Sequence, residues 1–187
     1  MATLSGNLPT PLNVIATLDL RFVAVGGHCR FGARPESNVE DIAALDGKIQ
    51  AVAKQHGTVR LLMTAPGVGP ITAMAVTAAF DDAERFNRSS SAGAYLGLTP
   101  RRYESGEISR NGRISKSGDR FARKCLYEAA NAILSRKLGG PRLREWAQAI
   151  AGRTGPRKAK VALARKLAVT LHAMWCTNTA FREAAMA

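Results

Sequence analysis

Apolar side chains recur at helical spacing over most of the chain from residue 38 onward. In the segment NVEDIAALDGKIQAVAKQHG the apolar seam consists of Ile42, Leu45, Ile49 and Val52. Residues spaced in this way lie on one side of a helix. Asn38 is a favoured N-cap residue, and Gly57 is a favoured helix terminator. The pattern predicts a helix over residues 38–57 that is able to pair with a second helix as a short coiled coil.

Two apolar helical stretches follow in VRLLMTAPGVGPITAMAVTAAF, and the sequence PGVG separates them at residues 66–69. Pro70 suits the first position of the second helix. This spacing is typical of a helix-hairpin-helix element. In such an element Gly67 and Gly69 let the backbone approach a phosphate, and N–H groups at the new helix start point at the anion. A tight turn between two helices with no ligand explains the same residues equally well.

The remaining helical patterns lie further along the chain. Ser89 or Ser90 is suited to cap a short helix that Pro100 ends. Further helices are predicted in DRFARKCLYEAANAILSRK, in PRLREWAQAIAG from Pro141, and in RKAKVALARKLAVTLHAMWCTNT, whose basic residues lie mostly opposite its apolar ones. No strand pair is predicted after residue 38. The sequence therefore predicts a mainly α fold: a helical bundle with a helix-hairpin-helix-like element and a basic loop.

The first 37 residues have no clear pattern. LNVIATLDLRFVAV is compatible with a strand, and GGHCRFGARPESN is typical of a loop. We therefore divide the chain into an unassigned segment (1–37), the helix at 38–57 and a C-terminal domain (58–187). Neither a signal peptide nor a membrane span is predicted, since the start lacks a basic region and charged residues interrupt its apolar run. Three widely spaced cysteines without a CxxC motif argue against a disulfide framework or a zinc site and fit a reducing cytosol.

Basic residues dominate the second half of the chain. The formal net charge is +13 and the pI is about 10.5. Residues 1–100 hold eight basic and eight acidic groups, whereas residues 101–187 hold 19 and 6. Such a field attracts a polyanion, and nucleic acid is the commonest one. A cationic face kept for solubility is the alternative. An anionic membrane surface is disfavoured because no basic amphipathic helix ends in an exposed apolar stripe.

The segment YESGEISRNGRISKSGD lies between two predicted helices and is poor in large apolar residues. Residues 101–124 contain three acidic groups and eight basic ones, which are Arg101, Arg102, Arg110, Arg113, Lys116, Arg120, Arg123 and Lys124. Guanidinium groups bind phosphate bidentately, so we predict that these residues contact a nucleic-acid backbone, with Gly67 and Gly69. Ser115 or Ser117, with Gly118, is expected to cap the next helix. Composition alone favours Ser105 as part of a turn over Ser105 as a nucleophile, since no base or metal ligand is evident nearby.

Several motifs occur in an order similar to that in the C-terminal domain of transposases of the insertion sequence 110 family, grouped with insertion sequences 116 and 902. They are the PGVG turn, AYLGLTP, the Ser-Gly pair in YESGE, GRISKSGD and KVALARKLA. The resemblance covers most of residues 58–187, and it implies a DNA recombinase that moves its own mobile element in DNA transposition.

In that family an N-terminal RuvC-like domain carries four carboxylates that hold divalent metal, and the C-terminal domain supplies a serine that attacks DNA. The family's serine corresponds to Ser105. Family members work as oligomers guided by a structured RNA. The resemblance therefore implies DNA, a guide RNA and further copies of the chain as partners, and Mg²⁺ only together with the N-terminal domain.

The chain also departs from the family. Too few residues precede residue 38 for a RuvC-like domain, so we expect this chain to lack the metal-binding half of the site and to be inactive alone. Asp19 is a weak candidate for the first metal-binding Asp, and no metal site is predicted among His28, His56 and His172. We expect a cytoplasmic protein associated with the bacterial nucleoid. Two other functions stay open: a non-catalytic nucleic-acid-binding helical module, and a helical partner protein that dimerises through residues 38–56.

Overall fold

The computed structural model describes residues 35–105, 108–136 and 138–183. Within these ranges lie seven helices and one β-hairpin: α1 Pro35–Gln55, α2 Gly57–Leu62, α3 Pro70–Phe80, α4 Ser89–Tyr95, β1 Pro100–Ser105, β2 Ile108–Ile114, α5 Arg120–Arg136, α6 Pro141–Thr154 and α7 Pro156–Thr177. The prediction of a mainly α fold is confirmed. The hypotheses that concern Asp19 and His28 lie outside the described residues. None of the described helices combines the length and the apolar character needed to cross a membrane.

Helix α7 is the central element of the bundle, and it packs against α4, α5 and α6. Leu163, Leu167 and Leu171 recur every four residues along α7 and are fully buried. They share one apolar core with Leu126 and Ile133 of α5. Burying a leucine side chain contributes about 1.5–3 kcal/mol. The apolar side of α7 is therefore a central part of the core.

The predicted helix at 38–57 is α1, which begins earlier, at Pro35, and ends at Gln55. Gly57 does not terminate it but begins α2. Ala53 of α1 is buried, whereas Ile42 and Leu45 are 58% and 50% exposed. The C-terminal part of α1 is thus anchored on the bundle. Pairing of its exposed seam as a coiled coil stays a prediction.

The expectation that no strands pair after residue 38 is wrong. β1 and β2 form an antiparallel hairpin in which Tyr103 lies opposite Arg110 and Ser105 lies opposite Ile108. All six residues of β1 are exposed. The strand therefore has no alternation of apolar and polar residues, which is the signal that distinguishes a half-buried strand from a loop.

The predicted cap of α5 is also wrong. Asp119 caps this helix, since its Oδ1 accepts a hydrogen bond from the N–H of Ala122 at 2.5 Å. A carboxylate at this position also interacts favourably with the helix dipole. The hydroxyls of Ser115 and Ser117 instead lie 2.9 Å from each other. Pro70 and Pro141 begin α3 and α6 as predicted.

Candidate nucleic-acid interface

Arg123 of α5 connects the end of the hairpin to α4. Its Nη1 donates hydrogen bonds to the main-chain oxygens of Leu96 and Ser117, both at 2.9 Å. Hydrogen bonds from a charged donor are stronger than those between neutral groups. Arg123 therefore holds the segment between β2 and α5 in place, a role that differs from the phosphate contact expected for it.

The same segment lies directly on the backbone that follows α4. The N–H of Lys116 donates to the carbonyl of Gly97 at 3.0 Å. Gly118 has a φ of +76°, and a Cβ at this position would collide with the main-chain oxygen of Tyr95. Both the backbone conformation and the space require glycine here. This close contact fixes the direction in which the hairpin leaves the bundle.

Ser105 is the last residue of β1 and is exposed at the tip of the hairpin. Gly106 and Glu107, which follow it in the chain, lie outside the described residues. Among the residues that are described, no three His, Cys, Asp or Glu side chains form a group able to hold a metal ion. A serine hydroxyl also needs a base to become a nucleophile.

The arginines predicted to contact DNA lie along both strands of the hairpin, between its base and Ser105 at its tip. Arg101, Arg102, Arg110 and Arg113 are all exposed. Arg102 Nη1 lies 3.8 Å from Glu104 Oε1, and an exposed pair of this kind contributes at most about 1 kcal/mol. Arg101 donates from Nη2 to the carbonyl of Ser115 at 3.1 Å. The hairpin thus presents a cationic surface that runs from its base towards Ser105. Arg120 and Lys124 are exposed in the first turns of α5.

The PGVG turn packs against a different part of α5 from the one that the hairpin contacts. Gly67 has a φ of +72°, and a Cβ there would lie 2.8 Å from the carbonyl oxygen of Ala129 and 2.9 Å from Cγ1 of Ile133. Packing against α5 is sufficient to explain this glycine. Nothing lies within 4 Å of the corresponding position at Gly69. Ile133 and Arg123 are separated by about 15 Å along the helix, so the turn and the hairpin contact α5 at different places.

A groove of about 910 Å³ opens between the base of the hairpin, α6 and α7. Six of its fourteen lining residues are cationic and none is acidic; the cations are Arg113, Lys116, Arg157, Lys158, Arg165 and Lys166. Like charges in a cleft with low-dielectric walls concentrate positive potential there. The four cations of α7 were not among the predicted DNA contacts. Cations with this spacing on a helix are also typical of a solvent-exposed side without a ligand. They are identified as part of a site only because the hairpin faces them across the groove.

Local packing orients two of these cations. The Nζ of Lys166 lies 4.6 Å from the ring centroid of Trp146, a cation–π contact. Gly93 of α4 leaves room for the aliphatic part of Arg165, since a Cβ there would lie 2.9 Å from its Cγ. A smaller pocket of about 400 Å³, which Arg102 lines, shares Arg165 with the groove. The cationic surface of the hairpin is therefore continuous with the groove.

The first turn of α7 carries positive charge where a helix favours negative charge. It holds Arg157 and Lys158 and no acidic residue. Each exposed cation at a helix N-terminus opposes the macrodipole by about 0.3–1 kcal/mol. These residues do not serve the stability of the helix. An anion bound in the groove would offset the repulsion.

His172 is a buried residue with a structural explanation. Its Nε2 lies 2.9 Å from the carbonyl oxygen of Ala83, and its Nδ1 lies 3.1 Å from Oγ of Ser89. A proton on Nε2 satisfies the carbonyl and leaves Nδ1 to accept from the serine. Phe80 and Phe86 pack edge-on against the ring, with centroids 5.6 and 5.2 Å away. The ring therefore joins α7 to α4 and to the segment before it.

Comparison with known proteins gives one consistent result. Residues 59–148 match the model of the transposase IS116/IS110/IS902 family. The chain is 35% identical over 142 residues to a protein of Pseudomonas aeruginosa strain PAO1 named as a probable family 20 transposase, covering 75% of this chain and 42% of that protein. It is 33% identical over 144 residues to the transposase for insertion sequence element IS1111A of Coxiella burnetii, covering 76% and 40%. For the IS1328 transposase of Yersinia enterocolitica the identity is 31% over 145 residues, covering 77% and 43%.

The chain spans about two fifths of the length of these relatives. The matched region contains the hairpin and one wall of the groove, whereas α7 follows it. Since the family model matches and the relatives are themselves named as transposases, the chain belongs to the transposase IS116/IS110/IS902 family.

Proposed function

We propose that this chain is the DNA-binding C-terminal domain of a transposase and that Ser105 is its nucleophile. One observation carries the proposal: exposed Ser105 lies on a hairpin whose base forms a wall of a groove with six cations and no carboxylate. The family supports a role in DNA transposition. The cations fit the DNA backbone because guanidinium and ammonium groups pair with phosphate without reading sequence.

In the proposed reaction the Oγ of Ser105 forms a bond to phosphorus, and the bond from phosphorus to one deoxyribose oxygen breaks. The serine proton passes to a base, and the departing oxygen takes up a proton. The hairpin arginines would stabilise the charge that grows on the phosphoryl oxygens. Glu104, the described carboxylate next to Ser105 in β1, lies 3.8 Å from the guanidinium of Arg102 rather than being free to act as the base. We propose that a separate carboxylate-bearing domain supplies it.

DNA binding is tested by fluorescence anisotropy with a labelled duplex between about 50 and 200 mM salt. Each phosphate contact adds about 0.9 to the slope of log affinity against log salt. We expect the double variant Arg113→Glu with Arg157→Glu to lose about two phosphate contacts, and so to lower the magnitude of this slope by about 1.8. The matched control is Arg60→Glu, which reverses an exposed charge on α2 away from the groove. Equal slopes for the double variant and the control would contradict the proposal.

The role of Ser105 is tested by formation of a covalent protein–DNA adduct that survives SDS. The full chain is mixed with DNA, Mg²⁺ and the N-terminal part of a full-length relative. Ser105→Ala should retain DNA affinity and lose the adduct, whereas Ser91→Ala, an exposed serine of α4, should lose neither. An adduct that persists in Ser105→Ala would show that the nucleophile is another residue. DNA binding without any adduct would favour the alternative, a non-catalytic nucleic-acid-binding module.

A further inference from the structure

We propose that the groove between the hairpin base, α6 and α7 receives an unpaired stretch of DNA, with bases against its floor and phosphates along its cationic rim. The inference rests on the proposed DNA binding and adds the form of DNA that this site takes.

The floor of the groove is apolar. Leu98 is buried, and Ile114, Trp146, Val161 and Val169 are half-buried along the groove. A DNA duplex offers phosphates on its outside and keeps the faces of its bases stacked within. A duplex lying on the rim would leave this floor in contact with water. An unpaired base has an exposed ring face that can pack on such a floor.

The size of the groove agrees with this occupant. Its volume of about 910 Å³ lies near the upper end of the roughly 300–1,000 Å³ typical of small-molecule sites. A base with its sugar fits such a space. Arg157 and Lys158 approach it from α7, while Arg113 and Lys116 approach it from the hairpin. The phosphates on either side of an inserted nucleotide would therefore meet cations on both walls.

An acidic amphipathic peptide would match the same floor and rim. The extent of the charge favours a nucleic-acid strand, because Arg165 is shared with the pocket at Arg102 and the cations continue along the hairpin. A charged track of this kind suits a polyanion longer than the groove. Trp146 also lines the groove, with the Nζ of Lys166 over one face of its ring. A basic groove that contains an aromatic side chain is the usual design of sites for single strands.

The test compares a single DNA strand of about 20 nucleotides, longer than the roughly 4–16 nucleotides of a typical site, with its duplex. Ala162→Leu fills the floor of the groove without a change of charge. The matched control, Ala173→Leu, makes the same substitution on the same helix at a position of similar exposure that does not line the groove. The full chain is used throughout, and duplex affinity reports whether each variant is folded.

We expect the wild-type chain to keep single-strand affinity at high salt, where phosphate contacts weaken. Ala162→Leu should lower that affinity about tenfold, the equivalent of one lost stacking contact, and leave duplex affinity unchanged. Ala173→Leu should change neither.

Equal single-strand affinity in Ala162→Leu and the wild type would overturn the inference, although duplex binding would still support the proposed function. Absence of binding to either form of DNA would defeat both. Tighter binding of an RNA strand at the Ala162-sensitive site would overturn the assignment to DNA. Binding of an acidic amphipathic peptide there, without DNA, would overturn it in favour of a protein partner.

Discussion

A single substitution at Lys158 should change the stability of the fold and the DNA affinity of the groove in opposite directions. It lies in the first turn of α7, is exposed, and lines the groove. A cation at this end of a helix costs about 0.3–1 kcal/mol, and an anion contributes a similar amount in the opposite direction. Lys158→Glu should therefore stabilise the fold by about 0.6–2 kcal/mol, near the lower value because the site is exposed. For a chain of this size the melting temperature should rise by about 1–8 °C, again near the lower value.

The same substitution should weaken DNA binding. Removing one phosphate contact lowers the slope of log affinity against log salt by about 0.9. If the variant and the wild type bind equally at 1 M salt, the variant therefore binds about eightfold more weakly at 0.1 M salt. The repulsion from the new carboxylate adds to this loss. Thermal unfolding and anisotropy titrations of the full chain measure the two effects independently.

Arg153→Glu is the matched control, because Arg153 lies in the last turn of α6, where a cation is favourable, and does not line the groove. We expect this variant to melt at a lower temperature and to bind DNA with little change. A Lys158→Glu variant that is less stable than the wild type, or that keeps its full DNA affinity, would refute the reasoning that binding rather than folding explains this cation.

Two further predictions concern the positioning of the hairpin and the core. Gly118→Ala should destabilise the fold by at least about 1–3 kcal/mol, because the positive φ is strained and the added Cβ would also collide with the carbonyl of Tyr95. Gly47→Ala, in open space on α1, should stabilise the fold by about 0.5–1 kcal/mol. Equal urea midpoints for the two variants would contradict the role of Gly118. Burial raises the pKa of the Cys125 thiol, and a raised pKa lowers the fraction of thiolate at any given pH. In a Cys29→Ser background, a thiol reagent at mildly alkaline pH should therefore label exposed Cys176 before Cys125. Faster labelling of Cys125 would show that α5 is not packed as described.

Helical periodicity made most of the fold predictable. The apolar seams of α5, α6 and α7 follow the spacing of three and four residues because each helix buries one side. Prolines at the first positions of α3 and α6 marked their starts for a local reason, since a proline lacks the N–H that would be unpaired there. Such patterns depend only on residues close together in the chain, so they can be read from the sequence without the structure.

The hairpin was not predictable in the same way. Its β1 strand is exposed at every residue, so no alternating pattern separates it from a loop. Its position depends on Arg123, which donates to carbonyls that lie 27 and 6 residues away, and on contact between Gly118 and α4. Contacts between distant segments leave no periodic signal in a single sequence.

The sequence alone determined that this protein is a basic, mainly helical member of a transposase family, and it identified the cations around Ser105. Only the tertiary structure decided that Arg157, Lys158 and Arg165 face the hairpin across a groove with an apolar floor. The physical reason is that net charge and periodicity are properties of the chain, whereas a concave site exists only once separate elements pack against each other.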